Sequence, residues 1–140
     1  MGKKIESIRF EPVGIIHSPF QTRTATPFQA YTSEAKGRVE VFNEYEQGLV
    51  GIERNSYIEL YFHFHKSKSY SLLTVPHQSK NRRGVFATRS PYRPNPIGNS
   101  TVKVLKRDGN TLHVRGLDVI NKTPLLDIKP YSPDLYPTIE

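Results

Sequence analysis

Alternation of apolar and polar residues with a period of two recurs along the chain, and its clearest example runs from Tyr57 to His65. One face of this segment carries four apolar side chains: Ile58, Leu60, Phe62 and Phe64. The other face carries side chains with polar tips: Tyr57, Glu59, Tyr61, His63 and His65. Because successive side chains of a strand point to opposite faces, the pattern predicts a strand with one face in the core.

Shorter segments rich in β-branched or aromatic residues predict further strands. They are Val13 to Ile16, Arg38 to Phe42, Ser71 to Val75, Gly84 to Ala87 and Leu125 to Ile128. The segments Thr101 to Lys106 and Thr111 to Leu117 flank an Asp-Gly turn signal and predict a hairpin. Asn43 to Arg54 favours a helix, and its two glycines limit it to a turn or two. This pattern predicts an all-β barrel or sandwich.

The length of 140 residues fits one domain, residues 1–140, with a proper core. The absence of cysteine excludes a disulfide framework, a thiolate zinc site and a Cys nucleophile, and it fits a reducing compartment. The N-terminal residues lack the apolar stretch of a signal peptide, and no apolar run approaches the roughly 20 residues of a membrane span. We therefore expect a cytoplasmic protein without a membrane segment.

The positive charge of the chain is concentrated in one stretch. Lys and Arg number 20 against 13 Asp and Glu, which gives a net charge of +7. Leu60 to Arg107 holds ten basic residues and no acidic one, and we call it the basic segment. The remainder of the chain carries ten basic and thirteen acidic residues. We interpret the basic segment as an anion-facing surface, and a chance cluster on a solvated face is the alternative.

Within the basic segment, Gly84 to Ser100 combines three prolines with Arg89, Arg93 and Asn95. Proline fixes φ and removes a backbone donor, so the stretch is predicted to be a rigid Pro/Arg loop rather than a central strand. Arginines on such a loop lose little entropy when they bind a carboxylate or phosphate. A rigid crossover that closes a barrel, with its arginines in solvent, is equally consistent with these residues.

His63 and His65 place two imidazoles at a spacing that metal-binding barrels use. A third ligand is lacking nearby, because the next carboxylate is Asp108 and the remaining candidate is His77. We favour histidines that hydrogen-bond to neighbours or to a bound ligand, and we expect no metal.

Two acids follow the basic segment. Asp127 lies among apolar strand residues, and we expect it to tie down a loop. Asp118 follows Gly116-Leu117 and either binds an ammonium group, accepts a proton, or forms a salt bridge or turn cap. The nine glycines form neither a Rossmann nor a P-loop motif, and a Gly-x-Ser-x-Gly elbow is absent.

The sequence GVFATRSPYRPNPIGNS, from Gly84 to Ser100, resembles the signature of the TsaA-like family of tRNA methyltransferases, also called TrmO. Other motifs match that family in order: Val13 to Phe20, Gly48 to Glu53, Phe62 to His65, Gly116 to Asp118 and Thr123 to Tyr131. The resemblance implies a small antiparallel β-barrel, a homodimer, and S-adenosyl-L-methionine bound outside a Rossmann fold. It also implies methyl transfer to N6 of threonylcarbamoyladenosine, next to the anticodon of tRNA.

Matching motifs carry the family's functional residues onto this chain. The implied cofactor site comprises Ala30, Tyr31, Thr32, His65, Lys66, Arg89, Asn99, Arg115, Gly116, Leu117 and Asp118. Asp118 and His65 are the candidates for the catalytic base. The residues expected to contact the tRNA anticodon loop or the threonyl carboxylate are Arg82, Arg83, Arg93 and Asn95. The basic charge fits RNA phosphates.

Bacterial family members carry a further C-terminal domain, whereas this sequence stops at Glu140, so we expect a short form. A short form would hold tRNA with the barrel and its dimer mate, or use another substrate. A non-catalytic RNA-binding barrel and a His-dependent metal enzyme are the rival hypotheses.

Overall fold

The computed structural model describes residues 5–22, 33–75 and 80–137, and it contains eight strands within them. The strands are β1 (Gly14–His17), β2 (Lys36–Val41), β3 (Tyr57–His63), β4 (Leu73–Thr74), β5 (Arg83–Gly84), β6 (Ile97–Asp108), β7 (Thr111–Arg115) and β8 (Thr123–Pro130). The described part also contains four short 3-10 helices: Asn43–Leu49, Ile52–Arg54, Val85–Ala87 and Pro133–Leu135.

Six of the strands form a closed barrel in the order β1-β2-β7-β6-β3-β8. All neighbouring pairs in the barrel are antiparallel. Strands β4 and β5 form a separate two-stranded sheet. The predicted all-β fold, a small antiparallel barrel, is therefore confirmed.

The barrel interior follows the predicted alternation. Ile58, Leu60 and Phe62 of β3 are at most 2% exposed. They pack with buried residues of the other barrel strands, among them Ile16, Val39, Val102, Leu112, Val114 and Leu125. Register shifts in the β3–β8 and β6–β7 pairs mark two bulges, which let a short sheet curve into a barrel.

Glu59 departs from the expected polar outer face of β3, because it is only 8% exposed. The hydroxyls of Tyr61 and Tyr136 both donate hydrogen bonds to its Oε2 atom, the former at 3.3 Å. The hydrogen bond to Glu59, with burial, raises the pKa of Tyr136 to about 12. The carboxylate thus fastens the segment after β8 to the barrel wall.

Several local predictions need correction. The predicted strand Gly84 to Ala87 is wrong, since only Arg83–Gly84 pairs with β4 and Val85–Ala87 forms a 3-10 helix. Val85 is 1% exposed whereas Phe86 is 79% exposed, so only one of the two large apolar side chains of this stretch is buried. Two of the four 3-10 helices lie in the predicted helical region, and the other two were not anticipated.

The predicted hairpin is present, with β6 starting earlier and ending later than expected. Its two-residue turn is Gly109-Asn110, and Gly109 has φ 60°. Asn110 is not among the residues with positive φ, so the turn needs left-handed backbone only at its first position.

Candidate functional site

Two cavities adjoin Asp118, which lines both of them. The first, the His65 cavity, has a volume of about 120 Å³, and its lining includes Phe64, His65, Lys66, Tyr92 and Val119. The second, the Arg89 cavity, has a volume of about 450 Å³, and its lining includes Tyr57, Arg89, Asn99, Lys103 and Arg115. The larger cavity has the size of ordinary small-molecule sites, roughly 300–1,000 Å³.

Asp118 is held by the loop between β7 and β8, which we call the Asp118 loop (residues 116–122). Its first residue, Gly116, has φ 105°, a conformation that side chains with a Cβ rarely adopt. The backbone N–H groups of Gly116 and Leu117 both donate to the carbonyl oxygen of Ala35, at 2.8 and 3.2 Å. The Ser100 hydroxyl donates to Oδ1 of Asp118 at 2.5 Å.

Arg89 lies over the start of β6, where Asn99 fixes its position. Its Nη2 atom donates to the carbonyl oxygen of Asn99 at 2.9 Å and to Oδ1 of the same residue at 2.6 Å. A guanidinium has five N–H donors, and these two bonds use the pair on Nη2. Within residues 5–22, 33–75 and 80–137, no other acceptor is bonded to Arg89. Its Nε and Nη1 donors are therefore available for an anionic ligand.

The signature loop (residues 88–96) carries Arg89 and is braced by its own bonds. Nη1 of Arg93 donates to the carbonyl oxygens of Thr88 and Ser90, at 3.0 and 3.1 Å. Ser90 in turn accepts from the Tyr92 N–H at 3.1 Å. Arg93, expected to contact RNA, thus has one nitrogen engaged in shaping the loop.

Space at the start of β6 is limited by two rings. A Cβ atom at Gly98 would lie 2.5 Å from Phe64 and 2.7 Å from Phe62. The two rings pack edge to face, with centroids 5.3 Å apart. Glycine at this position therefore lets Phe64 form a wall of the His65 cavity.

His65 follows the end of β3, in a turn closed by a bond from the Ser67 N–H to the Phe64 carbonyl oxygen. Burial, and then the positive charge of Lys66, lower the pKa of His65 below its usual value. This shift favours the neutral imidazole, which can accept a proton.

The expectation that His63 and His65 share one strand face is wrong, because β3 ends at His63. His63 lines a different cavity, together with Ile97 and Leu126. In the described part of the chain, no three His, Asp or Glu side chains are grouped closely enough to hold a metal ion. His77, the other proposed ligand, lies outside the described residues.

The remaining predicted residues fall into three groups. Gly116 and Leu117 are buried, and the Leu117 side chain belongs to the core, so both offer only backbone to a ligand. Arg82, Arg83 and Asn95 are exposed. The positions outside the described residues are Ala30, Tyr31 and Thr32.

Arg115 is paired with an acid at the mouth of the Arg89 cavity, where its Nε lies 3.6 Å from Oε2 of Glu34. At the far end of the basic segment, Arg107 lies 3.7 Å from Glu53, and Lys106 lies 3.5 Å from Asp108. These last two cations are thus balanced by acids outside the basic segment. By contrast, Lys66, Arg89 and Lys103 line the two cavities and make this end of the barrel positive.

Sequence reasoning missed Ser100 and Lys103, which line the Arg89 cavity. Ser100 had a usable signal: a period of two places it on the same face as the core residue Val102. A polar residue at a core position calls for a hydrogen-bond partner. Lys103 had no such signal in the sequence beyond the general excess of positive charge. No helix in the described residues has the length and apolar character needed to cross a membrane.

Comparisons with known proteins agree with the geometry. The model of the tRNA-methyltransferase O N-terminal domain matches residues 15–135. A probable S-adenosyl-L-methionine-binding protein of Pyrococcus abyssi is 49% identical over 91% of this chain and 70% of its own length. The human tRNA (adenine(37)-N6)-methyltransferase is 39% identical over 86% of this chain, which matches 29% of the human protein.

The crystal structure of TrmO from Pseudomonas aeruginosa superposes with a TM-score of 0.78 at 34% sequence identity. The similarity covers 93% of this chain and 58% of the solved chain, so this sequence spans little more than half of that protein's length. The signature loop, the Asp118 loop and all of the barrel except Gly14 fall within the 121 residues of the family match. The chain belongs to the tRNA-methyltransferase O family, as a match to its N-terminal domain.

Proposed function

We propose that this protein transfers a methyl group from S-adenosyl-L-methionine to N6 of threonylcarbamoyladenosine next to the anticodon of tRNA. One observation carries the proposal: a guanidinium, that of Arg89, and a carboxylate, that of Asp118, line the same cavity of about 450 Å³. The amino-acid end of this cofactor is a zwitterion, so it presents one group for each of these charges.

The residues present fit the cofactor. The Nε and Nη1 donors of Arg89 suit its carboxylate, and the Asp118 carboxylate suits its ammonium group or a ribose hydroxyl. Phe64 and Tyr92 give the His65 cavity aromatic walls that suit a flat base or a sulfonium. Gly116 and Leu117 would contribute backbone contacts only, because the Leu117 side chain is in the core.

When bound, the cofactor supplies an electrophilic methyl group on its sulfonium. The protein's part is to orient the two reactants, keep water out, and accept the proton that the attacked nitrogen loses. The lowered pKa of His65 favours its neutral form, and His65 lines the same cavity as Asp118, so either group could take that proton. The nitrogen of a threonylcarbamoyl adenosine belongs to a urea-like group, which makes a modest base sufficient.

The substrate surface lies on the basic segment. Arg82 and Arg83, before the signature loop, and Asn95, within it, are exposed and would contact anticodon-loop phosphates or the threonyl carboxylate. Arg93 would assist through the nitrogens that do not brace the loop. An unpaired anticodon-loop base costs little to splay out, which suits a shallow barrel site. With tRNA as its substrate, the protein is proposed to act in the cytoplasm.

The homodimer is part of the same proposal. A third cavity, of about 710 Å³, is lined by Ile8, Phe10, Ile97 and Leu126 and also by Asn95 of the signature loop. Ile8 and Phe10 are 74% and 65% exposed. A second copy covering this surface would bury them beside the substrate residues. Analytical ultracentrifugation should then show a dimer that Phe10→Asp converts to a monomer of unchanged secondary structure.

Two measurements test the function. Calorimetry should detect binding of S-adenosyl-L-methionine to the wild-type chain, and Arg89→Ala should abolish it. Incubation with the cofactor and with tRNA that contains threonylcarbamoyladenosine should add one methyl group, detected by mass spectrometry of the digested nucleosides. Salt-dependent RNA binding with neither cofactor binding nor methyl transfer would replace the proposal with a non-catalytic RNA-binding barrel.

A further inference from the structure

Four successive residues of the Asp118 loop each have an oxygen that accepts a hydrogen bond from a side-chain hydroxyl. Ser33 donates to the Leu117 carbonyl and Ser100 to the Asp118 carboxylate, both at 2.5 Å. Ser18 donates to the Val119 carbonyl and Thr123 to the Ile120 carbonyl, again at 2.5 Å. We call Ser18, Ser33, Ser100 and Thr123 the hydroxyl clamp.

The clamp residues are four of the five buried polar side chains in the described part of the chain. Ser18 and Ser33 are 8% exposed, and Ser100 and Thr123 are 3% exposed. Apart from Glu59, they are the buried polar residues within the described ranges. Burying a hydroxyl costs free energy unless it is hydrogen-bonded, and an apolar side chain fills the same space without that requirement. Their concentration on one loop therefore calls for a reason beyond filling the barrel.

The four donors approach the loop from several barrel elements. Ser18 follows β1, Ser33 precedes β2, Ser100 lies within β6, and Thr123 opens β8. Backbone bonds add to them, since the Lys122 N–H donates to the Ile16 carbonyl at 2.9 Å. The loop is thus tied to separate strands around the end of the barrel.

From this arrangement we infer that the hydroxyl clamp positions Asp118 and its neighbouring backbone to receive the methyl donor. The inference rests on the proposed function, because it assigns the clamp to the proposed cofactor site. Ser100 differs from the other three, since its partner is the carboxylate itself rather than a backbone carbonyl. A bond to one carboxylate oxygen selects one side-chain rotamer, so the group is in place before the ligand arrives.

Ser100→Ala tests the positioning role, with Val102→Ala as the matched control. Val102 lies two residues further along β6, is 1% exposed, and belongs to the core rather than to the clamp. Both substitutions remove buried atoms from the same strand. We expect Ser100→Ala to weaken S-adenosyl-L-methionine binding about tenfold by calorimetry, because a hydrogen bond to a charged group is lost. Val102→Ala should lower the melting temperature and leave the dissociation constant within about twofold.

Ser100→Thr keeps the hydroxyl and should restore most of the affinity. Amide hydrogen exchange on cofactor-free protein adds a readout independent of binding. Ser18→Ala and Ser33→Ala should speed exchange selectively in residues 116–122, whereas Val102→Ala should affect the barrel strands.

The outcomes distinguish failure of the proposed function from failure of the positioning role. If the wild-type chain fails to bind the cofactor, the proposed function fails. If the wild type binds and Ser100→Ala binds equally well, the positioning role is overturned while the function stands. Equal loss of affinity in Ser100→Ala and Val102→Ala would also overturn it, because the effect would then follow general stability.

Discussion

The two loops that build the site are held in different ways. The signature loop is braced partly within itself, because Arg93 donates to two of the loop's own carbonyls and prolines restrict its backbone. Its outside contacts come from a nearby part of the chain: the Ser67 hydroxyl donates to the Pro91 carbonyl at 2.9 Å, and the Phe64 N–H donates to the Pro96 carbonyl at 2.8 Å. The Asp118 loop is braced from outside, by hydroxyls that lie up to 101 positions away along the chain. The first loop therefore keeps much of its shape locally, whereas the second takes its shape from the assembled barrel.

The His65 cavity lies between them. Pro91 and Tyr92 of the signature loop line one part of it, and Asp118, Val119 and Ile120 line another. A change in either loop should therefore affect binding, but only a change in the Asp118 loop should also affect the stability of the fold.

The largest effect is expected at Gly116. Gly116→Ala places a Cβ on a residue with φ 105°, which costs roughly 1–3 kcal/mol of unfolding free energy and displaces the start of the Asp118 loop. Urea denaturation should show this loss, and calorimetry should show weakened cofactor binding. Gly48→Ala is the control, since an added Cβ there meets nothing within 4 Å. Equal stability of the two variants would mean that the Asp118 loop is not coupled to the barrel.

An intermediate effect is expected at Arg93, and it should be confined to binding. Arg93→Met removes both hydrogen bonds that Arg93 donates within the signature loop, so the loop that carries Arg89 becomes less rigid and cofactor affinity should fall about tenfold. Unfolding free energy should change by less than about 1 kcal/mol, because the bonds lie within one loop. Arg54→Met removes the same charge at an exposed position and should leave affinity unchanged. A large fall in stability with Arg93→Met would contradict the distinction between the loops.

The smallest effect is a pH dependence at His65. Burial and the nearby Lys66 lower the pKa of His65 in the folded state, so between that pKa and the usual value near 6.5 the unfolded chain binds more protons. Stability should therefore decline as pH falls below about 6.5. His65→Gln should flatten this part of the profile in denaturation experiments at pH 7.5 and 5.5. An unchanged slope would show that His65 is solvated equally in both states.

The contrast between local and long-range contacts also explains which features could be predicted from the sequence. Strand β3, the hairpin of β6 and β7, and the rigidity of the signature loop follow from local patterns: alternation, turn residues and prolines. Matching motifs then supplied the residues that the structure gathers around the two cavities, among them His65, Arg89 and Asp118.

Other features could not be predicted, because they depend on the whole fold. Ser18 and Ser33 are ordinary serine positions until the barrel brings them to the Asp118 loop. Glu59 occupies an outward position of β3 and is nevertheless buried, with the hydroxyls of Tyr61 and Tyr136 bonded to its carboxylate. The segment around Val85 has the apolar composition of a strand, yet it forms a 3-10 helix that buries Val85 alone.

Closure of the barrel also dictates when this site can exist. β1 pairs with both β2 and β8, so Gly14 lies opposite Leu125 and the sheet is complete only after distant parts of the chain meet. Pairings across such sequence separations make folding slow, in the millisecond-to-second range. Ser18 and Ser33 lie 101 and 84 positions from their acceptors, so their hydrogen bonds depend on the same event. Cofactor binding should therefore appear during refolding together with the last kinetic phase. Binding of the cofactor would then also report the completion of folding.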